Sequence, residues 1–237
     1  MDILGTRVDV INLEDSMQRI SGALAVGHKL WIVSANPELI YKADKDKKLQ
    51  TVINSADLIL PDGVGVVWAA RKFGAEKAER VTGIDLTQRI LEESNERSWR
   101  VFLLGAKPGI AEKAISKQHR EYPGIIFGCH HGYFSQEEES RVLEQIENFS
   151  PDVLLVGIGA PKQELWNAAY SGKAVVRIGV GGTIDVLSGE VRRAPKFYSD
   201  HKVEWLYRLV TEPFRFRRQI VLPLYVLKVL RKKYLSG

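Results

Sequence analysis

One carboxylate in this sequence stands directly after a short apolar run and directly before two closely spaced glycines. It is Asp62 in the segment LPDGVG, where Gly63 and Gly65 follow it. A carboxylate in this position can act as a general base on an attacking hydroxyl, bind a metal ion, or cap a following helix. The glycines let a ligand approach the backbone closely. Residues 60–65 are therefore the first candidate site. The sequence around Asp62 allows any of these three roles.

Polar residues also end other apolar runs, which gives that carboxylate candidate partners. Ser34 and Asn36 close the run LWIVSAN, and Gln163 lies just beyond DVLLVGIGA. Two glycine-rich turns, at 157–164 and 179–185, present backbone N–H groups that suit a phosphate, although tight turns alone also require small residues. Neither turn has the spacing of a dinucleotide fingerprint or of a Walker phosphate loop.

These side chains must be positioned by strands and helices that alternate along the chain. Runs rich in Val, Ile and Leu predict buried strands at 30–35, 57–61, 100–106, 124–128, 152–160 and 174–182. Helical patterns occur at 14–26, 37–49, 63–73, 82–96, 109–120, 135–148 and 161–170. The alternation predicts an α/β, Rossmann-like fold, with a mostly parallel sheet, helices on both faces and a small N-terminal hairpin. Ligands of such sheets bind beyond the carboxyl ends of the strands, where the candidate residues lie.

Positive charge is concentrated towards the C-terminus. The 237 residues carry a net charge of +5, but residues 192–237 hold 12 Lys and Arg against 3 Asp and Glu, and residues 1–191 balance at −4. We predict a Rossmann-like domain over 1–195 and a basic, amphipathic helical appendage over 196–237. The appendage suits an anionic membrane surface. Its many aliphatic residues argue against nucleic acid, and an ordinary helix packed on the domain is the alternative.

Other patterns exclude several classes of protein. Cys129 is the single cysteine, so an internal disulfide is excluded and a reducing compartment is favoured. The N-terminus lacks the pattern of a signal peptide, and no run reaches the roughly 18 apolar residues of a membrane-spanning helix. We therefore expect a cytoplasmic protein. The adjacent His130 and His131 would point to opposite faces of a strand, so we predict no metal site.

Eight sequence blocks together resemble the WecG/TagA/CpsF family of bacterial glycosyltransferases. They occur in the family's order over nearly the whole chain, and their combination is specific although each block alone is weak. In chain order they are SANPELIYKA (34–43), INSADLILPDGVGVVWAAR (53–71), ERVTGIDL (79–86), RVFLLGAKPGIAEKA (100–114), HHGYF (130–134), DVLLVGIGAPKQELW (152–166), IGVGGTIDVLSGEVRRAP (178–195) and EWLYRLVTEPFRFRRQ (204–219).

The resemblance implies an inverting transferase that is peripheral on the cytoplasmic face of the membrane. Such an enzyme moves a sugar from a UDP-sugar donor to N-acetylglucosamine (GlcNAc) on a polyprenyl diphosphate. The TagA branch uses UDP-N-acetylmannosamine (UDP-ManNAc) and builds the linkage unit of wall teichoic acid. Other branches use the corresponding uronic acid or serve capsule and exopolysaccharide assembly. The family is regarded as independent of metal ions, and the resemblance implies no cofactor.

The resemblance also implies roles for individual residues. Asp62 matches the family's proposed catalytic base, which would deprotonate the 4-hydroxyl of the acceptor GlcNAc. Asn36, Arg80 and Gln163 match polar residues of the family's pocket. Ser34 stands where TagA-like members carry Thr, and it keeps the hydroxyl, so we expect it to bind substrate as well.

Three arginines of the appendage complete the predicted site. Arg208, Arg215 and Arg218 match basic positions of the family's C-terminal appendage, which is thought to close over the pocket at the membrane. Guanidinium groups suit the leaving diphosphate of a UDP-sugar. The resemblance therefore implies that the tail is both an anchor and a lid.

Two other classes of function stay open beside the transferase. An epimerase or oxidoreductase acting on nucleotide sugars is disfavoured, because the dinucleotide fingerprint and a Tyr-x-x-x-Lys pair are missing. A non-catalytic peripheral membrane protein would depend on its tail and not on Asp62. The sequence does not fix the donor sugar, and the apolar positions of the tail allow a homo-oligomer in solution.

Overall fold

A parallel β-sheet forms the centre of the structure, a computed structural model that describes residues 1–193, 195 and 220–235. The strands in chain order are β1 Asp2–Ile3, β2 Thr6–Arg7, β3 Leu30–Ala35, β4 Leu58–Pro61, β5 Arg100–Gly105, β6 Ile126–His130, β7 Val153–Gly157 and β8 Val176–Gly179. β1 and β2 pair as an antiparallel hairpin. Over the described residues the other strands form a six-stranded sheet in the order β4-β3-β8-β7-β5-β6, with every pair parallel. The predicted α/β fold with its N-terminal hairpin is confirmed.

Helices cover both faces of this sheet. In the described part of the chain they are α1 Leu13–Val26, α2 Pro37–Lys45, α3 Lys47–Asn54, α4 Val64–Lys72, α5 Gly83–Arg97, α6 Ile110–Glu121, α7 Glu139–Phe149, α8 Lys162–Ala169, α9 Thr183–Ser188 and α10 Val221–Leu235. Successive strand residues point to opposite faces, so Ile32 packs with α1, α5, α6 and α9. Val33 packs on the other face, with α2, α3, α4 and α10. Helices α7 and α8 cover β5 and β7 on that second face.

The connections leave a ligand-binding edge at the carboxyl ends of the strands. The chain leaves β5 towards the outer strand β6, but it leaves β7 in the other direction, towards β8. The loops that follow these two neighbouring strands therefore run in opposite directions. A crevice opens between such loops. The fold therefore gathers the ends of all the central strands around one cleft.

The observed elements differ from the predicted ones where local side chains override periodicity. The helix predicted over 37–49 is divided, because the Asp46 side chain accepts hydrogen bonds from the N–H groups of Lys48 (3.0 Å) and Leu49 (3.2 Å) and so caps α3. Strand β6 begins two residues later than predicted. The short helix α9 was not predicted, because six residues are too few to show a helical period.

The C-terminal region is described only in part. The division into 1–195 and 196–237 stays a prediction, since residues 196–219 lie outside the described residues. Helix α10 packs against α2 and α4, and its Tyr225 and Val229 are fully buried. This packing corresponds to the alternative interpretation of the tail for its last helix. Nowhere in the described ranges is there a helix long and apolar enough to cross a membrane.

Candidate active site

A cleft of about 1010 Å³ lies along the carboxyl edge of the sheet. The residues that line it include some that follow each of the six strands, and five of the predicted site residues are among them. These residues are Ser34, Asn36, Asp62, Arg80 and Gln163. The structure therefore brings together every predicted site residue that it describes. Arg208, Arg215 and Arg218 lie outside the described residues, so their roles stay predictions.

Asp62 is held at the junction of β3 and β4. Parallel pairing places Ser34 beside Leu60, and the Asp62 N–H donates to the carbonyl oxygens of Ala35 and Leu60, each at 3.0 Å. The Ser34 hydroxyl donates to Asp62 Oδ2 at 3.0 Å. The N-cap of α4 is Gly63 and not Asp62. Asp62 therefore lies outside the cap position, and its carboxylate lines the cleft, where it accepts a hydrogen bond from Ser34.

Asn36 combines a structural contact with a place in the cleft. Its Oδ1 accepts a hydrogen bond from the Leu39 N–H at 2.9 Å and so caps α2. Because that bond uses the carbonyl half of the amide, the NH₂ half is the part that suits a ligand. The sequence predicted the position of Asn36 at the cleft, and the structure adds the cap.

Gln163 is buried and braces the turn between β8 and α9. Its Oε1 accepts from the Gly181 N–H at 3.1 Å, and its Nε2 donates to Glu164 Oε1 at 2.8 Å. A Cβ on Gly179 would lie only 2.7 Å from Gln163 Nε2, so this amide packs directly on the end of β8. Both polar atoms of the Gln163 amide thus bind neighbouring protein groups. Gln163 shapes the cleft by holding the turn between β8 and α9 in place.

Glu164 is a buried acid that the sequence did not single out. Its side chain is 1% exposed, and burial raises the pKa of its carboxyl above the ordinary value. Within the described ranges, Glu164 Oε2 and the nearby Asn167 Oδ1 have no hydrogen-bond partner. The one signal in the sequence was its position next to Gln163, in a turn already noted for its glycines.

Positive charge lines the same cleft. Lys107 follows β5 and Lys162 begins α8, and both line the cleft together with Arg80. Lys162 Nζ lies 5.2 Å from the centre of the Phe134 ring, a cation–π contact at the cleft. Lys162 stands in one of the glycine-rich turns seen in the sequence, whereas Lys107 follows a strand end outside both turns. The cleft lining thus holds three cations and two carboxylates, Asp62 and Asp185, and its cations suit an anionic leaving group.

The two adjacent histidines lie against each other. His130 Nδ1 lies 2.7 Å from the His131 carbonyl oxygen, and the two rings contact each other. Across residues 1–193, 195 and 220–235, no group of three or more His, Cys, Asp or Glu side chains could hold a metal ion.

Comparisons with known proteins agree with the resemblance seen in the sequence blocks. The family model described as "Glycosyl transferase WecG/TagA/CpsF family" matches residues 1–236. A protein of Bacillus spizizenii is 38% identical over 210 residues, which are 87% of this chain and 81% of that protein. A protein of Staphylococcus aureus strain MRSA252 is 35% identical over 237 residues, 98% of this chain and 93% of that protein. Both carry the name N-acetylglucosaminyldiphosphoundecaprenol N-acetyl-beta-D-mannosaminyltransferase.

Proposed function

The chain belongs to the WecG/TagA/CpsF family of glycosyltransferases, and on that premise we propose that it transfers N-acetylmannosamine from UDP-ManNAc to GlcNAc on undecaprenyl diphosphate. The two relatives described above are named for this sugar and this acceptor. The product would be the linkage-unit disaccharide of wall teichoic acid. The proposal is supported by the extent of the similarity and by the chemistry of the cleft.

The proposed reaction is a single displacement that inverts the anomeric carbon. The acceptor 4-hydroxyl oxygen forms a bond to C1 of the donor sugar while the bond from C1 to the β-phosphate oxygen breaks. Asp62 takes the hydroxyl proton, and UDP leaves with the electron pair of the broken bond. A general base in this role contributes typically about 10²- to 10⁴-fold in rate.

The leaving UDP gathers negative charge, and cations at the cleft would stabilise it. Arg80, Lys107 and Lys162 line the cleft and suit that role. We also propose that arginines of the appendage, Arg208, Arg215 and Arg218, contribute when the lipid-linked acceptor is bound. The observation that carries the proposal is the Asp62 carboxylate, fixed by Ser34 at 3.0 Å inside a cleft of about 1010 Å³.

Membrane association is part of the same proposal, because the acceptor is carried on a lipid. Helix α10 exposes Leu224, Leu227 and Tyr234, and Arg231 and Lys233 are also exposed. Apolar and basic residues together on one helix suit the surface of an anionic bilayer. We propose that the enzyme is peripheral on the cytoplasmic side of the membrane.

A donor panel tests the function directly. The purified protein is incubated with a short-chain polyprenyl-diphosphate-GlcNAc and, separately, with UDP-ManNAc, its uronic acid analogue, UDP-GlcNAc and UDP-glucose. Mass spectrometry detects the lipid-linked disaccharide. We expect product with UDP-ManNAc, near-complete loss of it in Asp62→Asn, and full activity in the control Glu112→Gln on the exposed side of α6.

Each other outcome changes one part of the proposal. Product from the uronic acid or from UDP-glucose alone would replace the donor and leave the reaction class standing. Full activity of Asp62→Asn would refute Asp62 as the base. No product from any donor, with anionic vesicles present, would refute the proposed acceptor. Retention or inversion is read by NMR from the one-bond C1–H1 coupling of the transferred sugar.

A further inference from the structure

The inner face of α10 contacts the two helices that begin at the candidate active site. Tyr225 is 1% exposed and Val229 is fully buried, and both belong to the core that α2 and α4 form on this face of the sheet. Two ion pairs hold the helix in place, from Lys228 to Asp44 at the end of α2 and from Lys232 to Asp2 in the hairpin. The helix is therefore docked on the body of the protein along much of its length.

Tyr225 contacts the first turn of α4. A Cβ built on Gly65 would lie 3.8 Å from Tyr225 Cε1 and 2.8 Å from Pro37 Cγ, so Gly65 is enclosed between the two rings. The Tyr225 hydroxyl lies 3.5 Å from the Gly65 carbonyl oxygen. Only a residue without a side chain allows α4 to approach this closely. The first turns of α2 and α4 thus meet at Gly65, with Tyr225 against them.

Two polar residues of the cleft stand just before these turns. Asn36 immediately precedes α2, and Asp62 precedes α4 by one glycine. Gly63 has φ +89°, in the region that glycine adopts freely, and its carbonyl oxygen accepts hydrogen bonds from the N–H groups of Val66 (3.2 Å) and Val67 (3.3 Å), so the residue after Asp62 is tied to the first turn of α4. Asp62 is thus held from one side by β3 and β4 and from the other by the first turn of α4, and the position of its carboxylate depends on both.

We propose that Tyr225 is a positioning residue for Asp62: its ring, packed against Gly65, sets the first turn of α4 and with it the place of the carboxylate in the cleft. The inference rests on the proposed function, in which Asp62 is the base. Burial raises the pKa of the Tyr225 hydroxyl, so the side chain stays uncharged, and its closest approach to α4 is through the ring and the hydroxyl contact with Gly65. The C-terminal helix thereby takes part in catalysis without reaching the substrate.

Three variants of the full-length protein separate positioning from general stability. Tyr225→Phe keeps the ring, Tyr225→Leu removes it but keeps an apolar side chain, and Val229→Ala creates a cavity in the same helix one turn away. We measure the unfolding midpoint of each variant. We then measure kcat, the KM for the donor and the Kd for UDP at a temperature well below the lowest of these midpoints. Nuclear magnetic resonance records the backbone amide shifts of Asp62, Gly63 and Gly65.

The proposal predicts a specific pattern. Tyr225→Leu lowers kcat about 10- to 100-fold and leaves the Kd for UDP nearly unchanged, since a displacement of about 1 Å in a reacting group has an effect of that order. Tyr225→Phe keeps kcat near the wild-type value, because the ring is retained. Val229→Ala lowers the unfolding midpoint as much as Tyr225→Leu but leaves kcat near the wild-type value. The amide signals of Asp62 and Gly63 move in Tyr225→Leu and stay in place in Val229→Ala.

Other results would overturn it. Equal losses of kcat in Tyr225→Leu and Val229→Ala would show that only stability matters, and unchanged kcat in Tyr225→Leu would show that the ring positions nothing. Wild-type protein without activity on any donor would refute the proposed function instead. In that case the amide shifts alone decide the inference, because unmoved Asp62 and Gly63 signals in Tyr225→Leu refute the coupling.

Discussion

At the scale of single residues, strand ends made the candidate site predictable. Ser34, Asn36 and Asp62 each follow a buried apolar run, and parallel strands place such residues at one edge. The structure places Ser34 and Asp62 in direct contact, 3.0 Å apart. The sequence could not show that Asn36 also caps α2, because a cap and a ligand-binding amide need the same residue type at the same position.

Glu164 was harder to predict because its chemistry comes from burial. Nothing in PKQEL indicates that this glutamate is enclosed, since acids at the start of a helix are usually exposed and stabilise its N-terminus. Its burial follows from α8 packing on β8 and β3. Lys107 and Lys162 were hard to predict because lysines are common on protein surfaces. Only their place in the cleft gives these two a role.

The buried Glu164 predicts a pH dependence of stability. Its pKa is raised in the folded state, so the folded protein holds this proton more tightly than the unfolded chain, whose ordinary value is 4.5. The contribution of Glu164 to the free energy of unfolding therefore falls as the pH rises above 4.5. Glu164→Gln is neutral at every pH, so its stability relative to wild type should increase from that pH upward.

Urea unfolding curves at a series of pH values check this expectation. The control is Glu190→Gln, since the hydrogen bond and charge of Lys113 lower the pKa of Glu190 and its contribution has the opposite sign. That variant should lose stability relative to wild type as the pH rises, by a small amount because Glu190 is exposed. A stability difference between Glu164→Gln and wild type that stays constant with pH would contradict the assignment.

At the scale of elements, the cleft floor depends on strands that approach one another without side chains between them. Gly105 ends β5 and Gly157 ends β7, and the two are paired across the sheet. A Cβ on Gly105 would lie 2.5 Å from the Gly157 carbonyl oxygen, which is closer than any real contact. The sequence does not predict this contact, because a close approach between strands has no local signal.

Gly105→Ala should therefore destabilise the protein. We expect a loss of about 1–3 kcal/mol in the free energy of unfolding, the usual range for overpacking, because backbone atoms must move. At this chain length each kcal/mol corresponds to about 2–4 °C in the unfolding midpoint, which calorimetry measures.

Gly22→Ala is the matched control for that substitution. Gly22 lies inside α1 with no atom within 4 Å of its added Cβ. Removing a glycine from a helix interior stabilises by roughly 0.5–1 kcal/mol, so the two alanines should change the midpoint in opposite directions. Equal midpoints for Gly105→Ala and wild type would mean that β5 and β7 can separate without cost.

At the scale of the whole molecule, charge and packing divide the chain differently. The sequence separates an acidic body from a basic region that begins near residue 192. The structure places α10, which belongs to the basic region, within the core of the body. Packing of this helix could not be read from the sequence, because Tyr225 and its partner Gly65 are 160 residues apart.

The outer face of α10 should carry part of the affinity for membranes. Arg231→Glu with Lys233→Glu reverses two exposed charges and leaves the buried Tyr225 and Val229 untouched. Each basic residue near an anionic surface contributes about 1 kcal/mol, so we expect much weaker binding to phosphatidylglycerol vesicles and an unchanged unfolding midpoint. Co-sedimentation with vesicles measures the binding, and salt should weaken that of the wild-type protein.

A second pair of reversed charges gives the comparison. Lys117→Glu with Arg120→Glu changes the net charge equally on α6, which covers the other face of the sheet. If both pairs reduce vesicle binding to the same extent, the membrane responds to the net charge of the protein and α10 has no special part in it.

The docking of α10 has a consequence for how the protein is made. Tyr225 and Val229 complete a core whose other buried members lie between Ile3 and Ala78, far earlier in the chain. During synthesis this face of the sheet is left with a hollow until residues 221–235 have emerged from the ribosome. A message truncated before that point therefore yields a chain with exposed apolar residues on α2 and α4, which cellular proteases can recognise. Completion of this part of the core therefore waits for α10, long after its other buried members have been made.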